Sequence, residues 1–326
     1  MGIGENHLNS HKAMIPTLKD VQSAVKRIEP YVHNTPVLTS TTIDQMMKAT
    51  VFFKCENFQR MGAFKIRGAT NAILQLSEDE RARGVITHSS GNFAAALALA
   101  ARSLNTKAYI VMPSNAPQVK KDAVAGYGAQ IIECDPTLKS RESTTLAHQK
   151  KRGATFIHPS NDINVILGNS TAVWELAKEA SNLDVVIAPV GGGGLLAGTA
   201  LATNYLHYYI ETIGAEPFGA DDAYLSMKTG KIQPSINPKT IADGLKTQLG
   251  DKNFPIIRKF VSKIIRVEET EIIEAMKFVW ERMKIVIEPS SAVAVAAMFR
   301  NRSEFKNRKV GVIISGGNVE LSNLPF

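Results

Sequence analysis

Apolar residues along the 326-residue chain fall into two patterns: short continuous runs, and longer stretches with apolar positions three and four apart. Residues 17–32 open with Thr17 and Asp20 spaced as a capping box, then place Val21, Ala24, Val25 and Ile28 on one face, which predicts a helix. Residues 51–55 form a short β-rich run. A regular series follows, with strands at 84–87, 108–112, 130–134 and 155–158 and helices between them at 92–102, 117–127 and 140–152. Strand and helix alternating at this spacing are the mark of βαβ units in a parallel sheet. A second series runs through a helix at 168–180, strands at 185–190, 210–216, 263–267 and 310–314, and helices at 195–206, 268–283 and 289–300. The expected class is α/β with two parallel sheets. No solenoid-period repeat and no low-complexity stretch interrupts it.

Composition narrows the functional classes. The length is that of about two domains, and 44% hydrophobic residues are too many for a disordered chain. Thirty-eight basic against thirty acidic residues give a net charge of +8, but the excess lies in short pieces such as Lys120-Lys121 and Lys150-Lys151-Arg152. Without a long basic stripe interleaved with aromatics, no nucleic-acid partner is expected; a general attraction for small anions is. Cys55 and Cys134 are too few for a disulfide scaffold or a structural zinc site, which favours a reducing compartment. Residues 1–15 lack the apolar core of a signal peptide, and the first dozen are expected to be a loose tail. Residues 185–201, the most apolar stretch, are broken by Pro189 and the glycines 191–194, so no membrane span is expected. A soluble cytoplasmic protein follows.

Three turns at strand ends carry the small residues that ligand sites need: Ser89-Ser90-Gly91-Asn92, Gly191-Gly192-Gly193-Gly194 and Ser315-Gly316-Gly317-Asn318. The four glycines follow an apolar strand and open a helix, so their N–H groups and the helix dipole would converge on an anion such as a phosphate. A flexible or tightly packed turn is the bland alternative. Gly192-x-Gly194-x-x-Ala197 with Glu216 on the next strand also fits a dinucleotide fingerprint, which keeps an NAD-binding Rossmann oxidoreductase in view. A P-loop is absent, since no Gly-x4-Gly-Lys-Ser/Thr string occurs.

More specific motifs stand in order along the chain. Thr35-Pro36-Val37-Leu38, Phe53-Lys54-Cys55-Glu56-Asn57-Phe58-Gln59 and Gly62-Ala63-Phe64-Lys65-Ile66-Arg67-Gly68-Ala69 come first. His88-Ser89-Ser90-Gly91-Asn92, the four glycines, Ile241-Ala242-Asp243-Gly244, Ile287-Glu288-Pro289 and the final Ser315 turn follow. From Leu18 to Leu321 the set resembles the fold-type II pyridoxal-phosphate enzymes, and within them the serine racemase and serine/threonine dehydratase family. The resemblance implies a tryptophan synthase β-subunit-like fold. A small mobile domain, residues 83–160, would be inserted into a large cofactor domain made of residues 1–82 and 161–326.

The same resemblance assigns roles. Lys65 matches the lysine that carries pyridoxal 5'-phosphate as a Schiff base; its apolar neighbours Phe64 and Ile66 would lower the amine's pKa, although from its position alone it reads as a surface lysine. Gly191, Gly192, Gly193, Gly194 and Leu195 match the phosphate site, Asn92 the partner of the ring hydroxyl, Phe64 and Gly244 the flanks of the ring, and Ser315 the residue facing the pyridine nitrogen. Ser90 matches the opposite-face acid/base that two-base racemisation requires, its bland alternative being a helix N-cap. Ser89, Ser90, Gly91, Asn92 and Arg141 match the residues around the substrate, Arg141 from the small domain. Glu216, the Ala220 carbonyl and Asp222 match a magnesium site that calcium or manganese would also suit; as bare acids in a turn they would simply be solvated. Ser40, Thr41, Lys284 and Asn318 match contacts to ATP, an effector at a homodimer interface in animal racemases.

Some positions depart from the family. Phe93 and Ala95 stand where His and Gln are usual, Met61 replaces a Thr, Gly168-Asn169-Ser170-Thr171 replaces Gly-Gln-Gly-Thr, and Ser160 follows His158-Pro159 in place of Asn. The expected function is serine racemisation with β-elimination of L-serine and L-threonine. The alternatives are a threonine or 3-hydroxyaspartate ammonia-lyase without racemisation, the Rossmann oxidoreductase, and a catalytically silent amino-acid sensor.

Overall fold

The computed structural model describes residues 15–207 and 209–326; the loose tail expected over the first dozen residues lies outside them. Among these residues ten strands form two sheets. The larger has the order β1 (Val37–Leu38), β2 (Thr50–Cys55), β10 (Lys309–Ile314), β7 (Val185–Pro189), β8 (Glu211–Pro217) and β9 (Lys263–Val267). Every pairing in it is parallel except β1 with β2, an antiparallel edge that the sequence pattern did not predict. The smaller sheet runs β5 (Gln130–Cys134), β4 (Ala108–Pro113), β3 (Val85–His88) and β6 (Thr155–Phe156), all parallel. β7 is buried along its whole length, as a central parallel strand covered on both faces must be.

Helices cover both faces. On the large sheet α12 (Glu269–Met283), α13 (Pro289–Arg300) and α2 (Thr41–Met47) share one core, while α1 (Leu18–Ile28), α8 (Ile163–Glu179), α9 (Gly194–Leu206) and α11 (Phe254–Phe260) share the other. The small sheet is flanked by α5 (Asn92–Ser103), α6 (Gln118–Gly126) and α7 (Leu138–Arg152); α4 (Glu78–Arg83) leads into it, and α10 (Asp222–Thr229) follows β8. α3 (Lys65–Leu74) is the shared element. Its Ile66, Ala69, Ala72 and Ile73 join Phe93 and Leu97 of α5 in the core beside the small sheet. Its other face meets α8 backbone to backbone, for a Cβ on Gly168 would stand 2.4 Å from the Arg67 carbonyl oxygen.

The element pattern held and several boundaries moved. The first helix ends at Ile28, with Glu29–Tyr31 in a 3-10 turn, because Pro30 lacks the N–H that the next turn needs. α8 begins at Ile163, capped by Asp162, whose Oδ1 accepts from Asn164 N at 2.8 Å and Val165 N at 3.2 Å. Gly168 therefore lies inside that helix as a crossing point, not at its start. α2, α3, α4, α10 and α11 went unread. No helix of the described residues is long and apolar enough to cross a membrane.

Candidate active site

The four glycines link β7 to α9. A Cβ on Gly191 would meet Leu245 Cα at 2.7 Å, one on Gly192 Ser160 Oγ at 2.4 Å, one on Gly193 Leu249 Cδ2 at 2.6 Å and one on Gly194 the Ser160 carbonyl at 2.9 Å. Gly193 has φ of +82°, a conformation glycine adopts without strain. The loop is thus a tight turn packed on its protein side. On its other side the first N–H groups of α9, Gly194 and Leu195 included, have no carbonyl of their own helix to meet, and the helix dipole adds to their pull on an anion.

Lys65 opens α3, held from behind by the end of β10: Phe64 N donates to the Ser315 carbonyl at 3.0 Å, and Ala63 bridges Gly316. Its Nζ donates to the Pro159 carbonyl at 3.4 Å and lies 4.8 Å from the Phe64 ring centroid and 6.0 Å from that of Phe93. Protein surrounds the amine although the residue keeps some solvent access along the cleft. Burial lowers its pKa to about 8, against the opposing pull of Glu288. Segment 158–160 therefore touches the amine through Pro159 and the glycine loop through Ser160. That juxtaposition puts an amine of reduced basicity beside an anion cradle.

Asn92 begins α5 and reaches back across the cleft. Its Nδ2 donates to Glu288 Oε1 at 3.0 Å and Oε2 at 3.1 Å, and its Oδ1 accepts from Asn318 Nδ2 at 3.0 Å. The carboxamide matched to a ring hydroxyl is joined here to Glu288 and Asn318. Burial pushes the Glu288 carboxyl up to about 7, with the Asn92 hydrogen bond acting against the shift. Gly244 stands next to Gly191 and donates its N–H to Ser290 Oγ at 3.1 Å. The buried Ser315 hydroxyl lies 3.0 Å from Ser291 Oγ.

Ser89 and Ser90 follow the C-terminal end of β3, partly exposed, and Gly91 opens on empty space. The N-cap of α5 is Gly91, not Ser90, and no side chain caps that helix. The bland role for Ser90 is therefore not the one it has. Arg141, in the first turns of α7, is near enough to this strand end that its charge, second to burial, lowers the His88 pKa.

Behind Lys65 lies a saturated cluster of buried charges. Arg67 donates Nε to Glu56 Oε2 at 2.6 Å, Nη2 to Glu56 Oε1 at 2.8 Å, and Nη1 and Nη2 to the two oxygens of Glu175 at 2.7 Å each. Buried Lys54 meets Glu175 at 2.7 Å and the Thr35 carbonyl at 2.7 Å. Burial raises the Glu175 pKa, but hydrogen bonds and charge from Arg67, then Lys54, carry it below the usual value. An unpaired buried charge costs several kcal/mol, about what one or two buried aliphatic side chains of α3 supply, so α3 can be buried here only because Arg67 is fully paired.

The Glu216 loop is the opposite case. Glu216 is fully buried, its Oε1 accepting from Ala223 N at 2.9 Å and Oε2 from Tyr224 N at 2.8 Å. Buried Asp222 has no hydrogen bond of good geometry at either oxygen, although the Ser235 hydroxyl and the Leu249 backbone are near enough to pull its pKa down against burial. Burial pushes Glu216 up to about 9 and Asp222 up to about 6, each raised further by neighbouring acids. Two carboxyls lacking a counter-charge fit a hard cation. Since no three acidic, His or Cys residues group for a metal among the described residues, a backbone oxygen such as that of Ala220 and water would complete the shell. The same burial removes the dinucleotide reading, because Glu216 cannot reach a ribose.

The residues matched to ATP have other engagements. Ser40 Oγ caps α2 by accepting from Ile43 N, Thr41 is the first residue of that helix, Lys284 ends α12 in the left-handed region, and Asn318 Nδ2 also donates to the Met61 carbonyl. Sequence reasoning missed Glu288, His158 and Asn253. The motif Ile287-Glu288-Pro289 could have signalled the first, an acid set in apolar surroundings. His158 Nδ1 accepts from Ser160 N and Asn161 N, and burial, with help from His88 and Lys65, lowers its pKa to about 4. Nothing local marks Asn253, 61 residues from the Gly192 carbonyl it binds.

Comparison with known proteins matches residues 28–316 to the family described as pyridoxal-phosphate dependent enzyme. A serine racemase of Dictyostelium discoideum is 50% identical over 314 residues, covering 94% of this chain and 96% of the relative. A β-hydroxyaspartate dehydratase of Paracoccus denitrificans is 46% identical, covering 96% and 99%. The crystal structure of the Dictyostelium discoideum serine racemase superposes with a TM-score of 0.91 at 49% identity, covering 94% of this chain and 100% of that one.

Proposed function

The chain belongs to the pyridoxal-phosphate dependent enzymes, and from that premise we propose that it racemises serine and eliminates the β-hydroxyl of L-serine and L-threonine, with Lys65 and Ser90 as acid–base groups on opposite faces of the substrate. The observation that carries this reading is the Lys65 amine, lowered to about 8 and bonded to the Pro159 carbonyl, next to the Ser160 that walls the four-glycine loop. When bound, pyridoxal 5'-phosphate supplies an electron sink that makes the substrate's α-proton acidic. A lysine of reduced pKa holds a larger neutral fraction near pH 8 and can accept that proton. The Ser90 hydroxyl returns a proton from the other face. Arg141 fixes the substrate carboxylate with Ser89, Gly91 and Asn92, and Gly191 to Leu195 hold the phosphate. Phe64 and Gly244 flank the ring, and Ser315 gives its nitrogen a neutral partner. Presence of both Lys65 and Ser90 speaks against a silent sensor.

The resident cation is magnesium, calcium or manganese at Glu216, Ala220 and Asp222, supported by two buried carboxyls with no basic side chain beside them, and its role is structural. The protein works as a cytoplasmic homodimer, which sizing by light scattering would check; both cysteines are free and buried. ATP at Ser40, Thr41, Lys284 and Asn318 is an effector in this reading, since Asn318 is bonded to Asn92; turnover unchanged by MgATP would remove it. A second reading, elimination on threonine or 3-hydroxyaspartate without racemisation, is favoured by the β-hydroxyaspartate dehydratase at 46% identity. One assay decides: enantiomer and keto-acid formation measured across serine, threonine and 3-hydroxyaspartate. D-serine from L-serine supports the first reading; keto acid alone supports the second.

A further inference from the structure

Asn253 occupies the N-cap position of α11, where an asparagine side chain ordinarily accepts from its own helix. This one makes no such cap. Fully buried, it turns Nδ2 toward two carbonyls, Gly192 at 2.7 Å and Ser160 at 3.2 Å, while Oδ1 accepts from Gly250 N at 3.0 Å. Two acceptors on one side and a donor on the other fix which end of the carboxamide is which. Its position touches the functional geometry directly. In a trans peptide the carbonyl oxygen of Gly192 and the N–H of Gly193 point in opposite directions. Binding that carbonyl on the protein side therefore aims the Gly193 N–H to the far side, where the first turn of α9 presents its own free N–H groups. Gly193, at φ of +82°, has no side chain whose packing could hold that orientation.

We propose that Asn253 is the positioning residue of the anion cradle, setting the direction of the glycine-loop N–H groups through the Gly192 carbonyl. This rests on the reading of that loop as the phosphate site. Apoprotein is titrated by calorimetry with pyridoxal 5'-phosphate, with pyridoxal and with inorganic phosphate, for wild type, Asn253→Ala and the isosteric Asn253→Asp. Losing the donor and leaving a buried carbonyl unsatisfied should weaken pyridoxal 5'-phosphate by about ten- to a hundredfold. Inorganic phosphate should weaken alike, with pyridoxal nearly unchanged. Asn253→Asp keeps the shape but puts a carboxylate where the donor was, so its loss should be larger and still confined to the phosphate-bearing ligands. If Asn253→Ala does not fold, Asn253→Asp decides. Equal weakening of pyridoxal and its phosphate, or an unchanged preference for the phosphate, would overturn the role given to Asn253. A wild type that shows no preference for the phosphate would instead overturn the reading of the loop itself.

Discussion

On the large-sheet side of the cleft the groups around Lys65 are packed and cross-linked: the glycines leave no room for a methyl group, Ser315 is buried, and α3 is anchored through Arg67 to Glu56 and Glu175. On the small-sheet side Ser89 and Ser90 are partly exposed, Gly91 faces open space, and Arg141 stands on a helix with a single fully buried residue, Thr145. Asn92 alone among those small-sheet residues is tied across the gap, to Glu288 and Asn318. One side is packed and paired, and the other is more open to solvent. Changes on the first side should therefore alter coenzyme binding, and changes on the second should alter turnover with the coenzyme still held.

Lys65→Ala is the harshest trial of the first half: turnover should fall by about a thousandfold or more, and the visible absorbance of bound coenzyme should go with it. For the second half, Ser90→Ala should abolish racemisation in both directions, leave the absorbance in place and spare part of the L-serine elimination; equal loss of both reactions would break the distinction. Arg141→Ala should raise KM by about tenfold or more, the worth of one charge-assisted hydrogen bond, at unchanged coenzyme affinity. A chelator should lower the thermal midpoint of wild type by a few degrees and leave Asp222→Asn unmoved, unless the Glu216 loop holds no cation.

The smallest effect concerns His158, on the segment between the two sides. Its folded pKa, near 4, is below the ordinary value, so the stability it contributes is full above that ordinary value and is lost as pH falls through about 4. Thermal unfolding of the apoprotein between pH 7 and pH 4 should accordingly fall less steeply in His158→Asn.

The periodic parts of this molecule were legible and the buried irregular parts were not. α12 could be read from its apolar stripe, and the strand–helix series of the small sheet from short apolar runs alternating with helical stretches. α3 could not, since its buried face includes Arg67, Thr70 and Asn71, so hydrophobicity does not mark which residues lie inside. Lys65 was found through the motif around it, while its chemical setting depends on Pro159 and Glu288, far away in sequence. Asn253 shows the same limit: its partner carbonyls belong to two other loops that only the fold brings together.

Borohydride reduction of the purified holoprotein, followed by peptide mass analysis, tests the central assignment most directly. The peptide containing Lys65 should gain the mass of the reduced coenzyme, and those containing Lys54 and Lys252 should not. An unmodified Lys65 peptide in protein saturated with pyridoxal 5'-phosphate would contradict the account.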